Sequence, residues 1–227
     1  MTDLPTFVIA LGAWLLPPTY DLLRGELTAR GFPSEAPAHP SIGAEPPTKT
    51  LDDDVASLRA LLNRLVTDEG KEVIVVAHSY GGVVGSCAVE GLARADREAN
   101  GQKGGVVKMV YMSAFVLDQG GDYVYVDGAE QIAFHDVSPE VQEQQKDFLT
   151  HTSRAVYGGP VTYEPWHRIP SAYIICEEDQ ALPLPLQEML ASKLGKDWTY
   201  RLKSSHSPHL SMPGRVAKIL KELAEKV

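Results

Sequence analysis

One run, Val73-Ile74-Val75-Val76-Ala77-His78-Ser79-Tyr80-Gly81-Gly82, limits the possible folds more than any other stretch of the chain. Five consecutive apolar residues, Val73 to Ala77, read as a strand, and Gly81 to Arg97 reads as a helix, with only a serine-centred junction between them. Such a junction turns so sharply that the residues two before and two after the serine must be tiny, and Ala77 and Gly81 meet that demand. The turn exposes the Ser79 hydroxyl above the sheet and leaves the Tyr80 N–H at a helix N-terminus, where developing negative charge is stabilised. This is the pattern of a nucleophile elbow, with Ala77 in place of the commoner glycine. The alternative is an ordinary strand-helix turn with an N-capping serine.

The rest of the chain repeats the alternation. Thr6 to Leu11, Val106 to Met112, Ala172 to Cys176 and Trp198 to Leu202 read as further strands, and Thr50 to Thr67, Leu184 to Leu194 and Pro213 to Lys226 as helices. The acidic run Asp52-Asp53-Asp54 suits the first turn of a helix better than a metal site. A β-α-β-α order predicts a mostly parallel sheet with helices on both faces. Asp118 to Arg168 is far too long for a plain connection and is expected to form a small lid, helical over Pro139 to Tyr157, with Tyr123, Tyr125, Phe134, Phe148 and Trp166 as aromatic candidates for a pocket wall or for lid core.

At 227 residues, 44% of them hydrophobic, a single domain spanning 1–227 is expected, with the lid inserted at about 118–168. A formal net charge of -9 argues against a nucleic-acid partner, and Lys103 to Lys108 reads as a solvated turn. No stretch has the length of a transmembrane helix, and residues 1–6 lack the basic start and apolar run of a signal peptide. Cys87 and Cys176 fall in apolar segments and read as reduced core thiols. A cytoplasmic monomer or homodimer without membrane contact is the expectation.

A serine hydroxyl needs a base, and the base needs an orienting acid. Asp179 follows the strand Ala172 to Cys176, and His206 follows the strand Trp198 to Leu202, so Ser79, Asp179 and His206 stand in the order Ser, Asp, His with each residue beyond a strand end. Glu177 and Glu178 are rival acids lying nearer the strand. His78 adjoins the serine but points elsewhere in an elbow, which favours a structural part. His209 is a candidate pocket residue, or with His206 and Asp179 a metal ligand, although a metal site leaves the elbow unexplained. In the loop after the first strand, Gly12 lets the backbone approach a substrate, and Ala13 offers an N–H beside that of Tyr80 for an oxyanion. Gly12, Trp14, Phe115, Phe134, Phe148, Trp166 and His209 are the expected pocket residues.

Gly12-Ala13-Trp14, Ala77 to Gly82, Cys176 to Asp179 with Pro183 and Gln187 behind it, and His206-Ser207-Pro208 leading to Pro213 together resemble the α/β-hydrolase superfamily, over nearly the whole chain. Within it they are similar to the plant methylesterase and hydroxynitrile lyase group and related small fungal and bacterial hydrolases. The resemblance implies hydrolysis of a carboxylic ester without cofactor or metal, by a Ser79, His206, Asp179 triad with an oxyanion hole at Ala13 and Tyr80. The sequence starts almost directly with the strand before the oxyanion loop, so about six strands are expected, without the two leading strands of the full fold. Leu11 stands where a loop-organising histidine is common, and Gly12 and Ser207 replace the threonine and lysine of the lyases. The expected substrate is a small to medium, partly apolar ester or lactone. The alternatives are a lyase or C–C bond cleaving enzyme on the same triad, and a ligand receptor on a hydrolase scaffold.

Overall fold

The apolar runs form strands buried on both faces, which a parallel sheet requires when helices cover both sides. The computed structural model describes residues 4–121, 133–195 and 198–226. Its strands are β1 (Thr6–Ala10), β2 (Ser34–Glu35), β3 (Glu72–His78), β4 (Gly105–Met112), β5 (Ser171–Cys176) and β6 (Thr199–Leu202), in one six-stranded sheet of order β2-β1-β3-β4-β5-β6. All neighbours are parallel. The expected number of strands is met through β2, a two-residue strand with no periodic signal.

Strand alternation builds two cores. Phe7, Ile9, Ile74 and Val76 face α1 (Asp21–Thr28), while Val8, Ala10, Val73, Val75 and Ala77 face α2 (Leu51–Asn63) and α3 (Gly81–Ala88) on the other side. The chain leaves β1 for β2 on one side and returns to β3 on the other. The crevice beyond the carboxyl ends of β1 and β3 is therefore a topological switch point, where open α/β sheets bind ligands.

Three expected elements differ. The helix read over Gly81 to Arg97 stops at Ala88 and resumes as α4 (Arg94–Ala99), because Gly91 at φ 71° takes a left-handed turn between them. The helix read over Pro139 to Tyr157 is confined to α5 (Pro139–Gln145), followed by 3₁₀ turns at Lys146–Phe148 and Arg154–Gly158. Between these turns, Leu149 and Thr152 make isolated antiparallel bridges to Leu15 and Ile42, where threonines favour extended backbone over helix. Lys108, read as part of a solvated turn, lies buried in β4, with its ammonium donating to the Leu223 carbonyl and seated 4.5 Å from the centre of the Trp198 ring. Its partner carbonyl lies in α8 (Pro213–Ala224), which follows α6 (Leu184–Ser192) and α7 (Pro208–Ser211).

Cys87 and Cys176 are free and buried. Among the described residues no helix is long and apolar enough to cross a membrane. Tyr123 and Tyr125 lie outside the described residues.

Candidate active site

The junction after β3 is the tight turn its composition demands. Ser79 sits at φ 53°, a left-handed conformation that costs a non-glycine residue free energy unless its surroundings enforce it. They do: the Ser79 carbonyl accepts from Gly82 at 3.0 Å and Phe115 at 3.2 Å. A Cβ on Gly81 would stand 2.1 Å from the Ala10 carbonyl oxygen, and one on Gly82 2.2 Å from that of Phe115. These two glycines let α3 start directly against the loops that follow β1 and β4.

The loops after β1, β4, β5 and β6 gather with the serine at this edge. Asp179, three residues beyond β5, is buried. Its Oδ1 accepts the N–H groups of Ala181 at 2.7 Å and Leu182 at 2.8 Å, and its Oδ2 accepts from His206 Nδ1 at 2.7 Å. The Gln187 amide donates to Asp179 Oδ2 at 3.3 Å and, with its other bonds, spans the Cys176 backbone and the Leu182 carbonyl. Burial alone would raise the Asp179 pKa, but the neighbouring His206 and these donors outweigh it and hold the carboxyl below its ordinary value. A carboxylate can only accept, so Nδ1 of His206 carries a proton, and in the neutral ring the lone pair is left on Nε2. Glu177 and Glu178, the rival acids, face outward to Arg201 and Lys203.

Ser113 joins this group without any signal in the sequence. At φ 44°, just past β4, its hydroxyl donates to Asp179 Oδ2 and lies 3.0 Å from His206 Nδ1. Among the described residues, those with positive φ other than glycine are Trp14, Ser79 and Ser113, and all three border this region.

The loop after β1 is anchored from several directions. The Gly12 N–H donates to Tyr20 Oη at 2.9 Å, and the Trp14 N–H to Thr152 Oγ1 at 2.7 Å. The histidine missing at position 11 is supplied from elsewhere: His39 Nε2 donates to the Leu11 carbonyl at 3.1 Å, and burial keeps this imidazole's pKa low. Tyr80 is fixed by its own side chain, whose hydroxyl donates to buried Asp54 at 2.7 Å. Asp54 also accepts from the Ser41 amide and hydroxyl. Of the acidic run, which opens a helix as expected, Asp53 closes a capping box with Thr50, whereas Asp54 braces the elbow.

These loops line a cavity with about 730 Å³ of empty space, open solvent included, bordered by Ser79 and His206 together with both proposed oxyanion residues, Ala13 and Tyr80. Of the other candidate pocket residues, Gly12, Trp14, Phe115 and Phe134 also border it, joined by Leu149, Tyr157 and Leu182. Phe148, Trp166 and His209 do not. Leu149 pairs with Leu15, whereas Phe148 ends the 3₁₀ turn before it. Trp166 precedes β5 by five residues and packs against the core at the amino ends of the strands, a sheet's depth from the elbow. His209 lies buried behind His78, stacked 4.4 Å from the Tyr20 ring. Among the described residues no group of three or more His, Cys, Asp or Glu side chains could hold a metal ion.

Comparison with known proteins agrees with this architecture. The chain is 26% identical over 244 residues to the alpha/beta hydrolase nvfD of Aspergillus novofumigatus, covering 97% of this chain and 96% of that one. It is 25% identical over 248 residues to the probable hydrolase R7 of a Phoma species, covering 97% and 98%. Among solved structures, the methylesterase MES16 from Arabidopsis superposes with a TM-score of 0.78 at 20% identity, covering 98% of this chain and all of that one. Polyneuridine aldehyde esterase gives 0.76 at 20% identity, covering 97% and 99%. The family model described as "Alpha/beta hydrolase family" matches residues 7–219, and the chain belongs to that family.

Proposed function

We propose that the chain is a serine hydrolase that cleaves a neutral, partly apolar carboxylic ester or lactone as one unit, with the segment 118–168 as its lid. The observation that carries this reading is the junction of Ser79, in its strained turn, with His206 on one cavity while Asp179 holds the far nitrogen of the same imidazole. In this mechanism His206 Nε2 takes the Ser79 proton as Oγ attacks the ester carbonyl, and the Ala13 and Tyr80 N–H groups hold the oxyanion. The tetrahedral species collapses to an acyl-serine, His206 returns the proton to the departing alcohol, and water repeats the sequence in reverse.

The cavity lining supports a neutral substrate. Among the described residues bordering it there is no Asp, Glu, Lys or Arg, and Trp14, Phe115, Phe134 and Tyr157 supply aromatic surface. An anionic acyl group would have to leave water without a counter-charge. The lyase alternative is disfavoured at Gly12, where even a Cβ would lie 2.9 Å from His78 Nδ1, so the threonine of that group lacks room. The names of the neighbours given above, a methylesterase and polyneuridine aldehyde esterase, support the same direction.

The test is covalent. A fluorophosphonate probe should label Ser79, identified by peptide mass spectrometry, and Ser79→Ala should abolish labelling and lower p-nitrophenyl acetate turnover by about 10⁴-fold or more. Near wild-type turnover by the purified variant would overturn the reading.

A further inference from the structure

His78 is fully buried, and both of its ring nitrogens are engaged. Nε2 lies 2.8 Å from the backbone carbonyl of His206, and Nδ1 lies 2.8 Å from Tyr20 Oη. A carbonyl only accepts, so Nε2 carries the proton. Burial and the neighbouring His206 push the His78 pKa down to about 3, so the ring is neutral and Nδ1 must accept. Tyr20 therefore donates its proton to Nδ1, and its oxygen accepts the Gly12 N–H at 2.9 Å. Every proton in the chain from Gly12 through Tyr20 and His78 to His206 is thus assigned without ambiguity.

This chain connects two loops that the proposed chemistry needs in register. One end is the backbone of Gly12, next to Ala13; the other is the backbone of His206; the imidazole between them belongs to the residue before Ser79. A Cβ on Gly12 would press on His78 Nδ1 at 2.9 Å and Cε1 at 3.2 Å, so loop and ring are also in van der Waals register. His209 packs 4.8 Å from the His78 ring and 4.4 Å from that of Tyr20, closing the far side.

We propose that His78 is a positioning residue: one neutral imidazole sets the distance between the oxyanion loop, through Tyr20, and the main chain that carries His206. This rests on the hydrolase reading above. It separates His78 from a residue that only fills the core, because its two nitrogens have different duties.

Two variants split those duties. Asparagine reproduces an acceptor near the Nδ1 position, and glutamine a donor near the Nε2 position. His78→Asn keeps the tie to Tyr20 and loses that to His206, and His78→Gln does the reverse. Each should lower kcat for p-nitrophenyl acetate, and the rate of Ser79 labelling by a fluorophosphonate, by about 10- to 100-fold, the scale of a misplacement near 1 Å, with little change in KM. Tyr20→Phe should cost a similar factor in the wild-type and His78→Asn backgrounds but clearly less in His78→Gln, where the link from Gly12 to His78 is already broken and only the Gly12 N–H bond remains to be lost. Equal, additive losses in both backgrounds, or unchanged kcat in the His78 variants, would overturn the proposal. If the His78 variants do not fold, Tyr20→Phe alone decides: a tenfold or larger fall in kcat at constant KM supports it, and an unchanged kcat refutes it. Absence of Ser79 labelling in the wild-type chain would instead overturn the hydrolase reading, and this inference with it.

Discussion

The hydroxyl of Ser113 and Nδ1 of His206 lie 3.0 Å apart, and both donate to one carboxylate oxygen, Asp179 Oδ2. The acid is therefore shared between the proposed base and a serine that enters from a different strand. Ser113 keeps the carboxylate charged by donating to it and offers its own oxygen to the Nδ1 proton. A hydrogen bond to a charged group contributes about 1.5–3 kcal/mol, and Asp179 has other donors to fall back on, so the lower end applies. Ser113→Ala should reduce kcat for p-nitrophenyl acetate about tenfold with KM nearly constant, far less than the loss expected for Ser79→Ala. Unchanged kcat in a folded variant would mean that Ser113 only fills space below the imidazole.

The tightness of the elbow makes a stability prediction. Gly81 starts α3 against β1, and a Cβ there would meet backbone atoms, the Ala10 carbonyl oxygen at 2.1 Å and the Leu11 oxygen at 2.7 Å. Backbone cannot rotate aside as a side chain can. Gly81→Ala should destabilise the protein by about 3 kcal/mol or more, at the upper end of overpacking costs. At this chain length that corresponds to a fall in Tm of roughly 6–12 °C. Gly25, whose Cβ would meet nothing within 4 Å, is the control, and Gly25→Ala should not lower Tm.

Buried histidines tie stability to pH. His39, His78 and His209 are fully buried, and burial lowers all three, His78 to about 3. Above the unfolded-state value near 6.5 they are neutral in both states, so pH does not act through them. Below it the unfolded chain binds protons that the folded chain refuses, and stability falls as pH falls. His78, lowered to about 3, contributes about 1.4 kcal/mol per pH unit below pH 6, and His39 and His209 add to the loss in the same direction. Asp179, also depressed, adds its loss only below its ordinary value of 3.8. Urea unfolding midpoints at pH 8.5, 7.5, 5.5 and 5.0 should be level across the first pair and drop steeply across the last. A flat profile to pH 5 would show that these imidazoles protonate in place.

The four central strands β1, β3, β4 and β5 were readable in the sequence because they are buried on both faces and mostly apolar, and the elbow because few residues fit its turn. Ser79, Asp179 and His206 could be named as candidates because each stands just beyond a strand. What escaped was the set of side chains that act through space rather than along the chain. Ser113 is one serine among many, and its role exists only because β4 and β5 are neighbours. His39, which holds the Leu11 carbonyl, is 28 residues away from it, and Asp54 was masked by the helix-start chemistry of its neighbours. The pocket wall was the least legible part. An aromatic residue in a long insertion can point to the cavity or away from it, and only the pairing of residues 149 and 152 with the loops after β1 and β2 decides.

That difference between aromatics gives the sharpest test of the cavity. Phe134 borders the cavity near Trp14 and Phe115, from a segment tied to the His206 loop by the Ser205 hydroxyl, which donates to the Ala133 carbonyl at 3.0 Å, and by the Ser205 N–H, which donates to Asp136 at 2.9 Å. Trp166 is also a large aromatic of the insertion, but it packs against the core near the start of β5. If the cavity holds the acyl or alcohol group, shrinking Phe134 removes contacts worth about 1–3 kcal/mol per methylene-sized change and makes room for longer chains. Phe134→Ala should therefore shift the ranking of p-nitrophenyl acetate, butyrate and octanoate by kcat/KM about 10- to 200-fold, while the acetate rate stays within about tenfold. Trp166→Ala should leave that ranking unchanged and instead lower stability, by about 2 kcal/mol for a partly buried ring. Measuring both variants across the series, with a thermal melt for each, separates the two roles. A shifted ranking in Trp166→Ala with none in Phe134→Ala would place the substrate on the opposite side of the insertion.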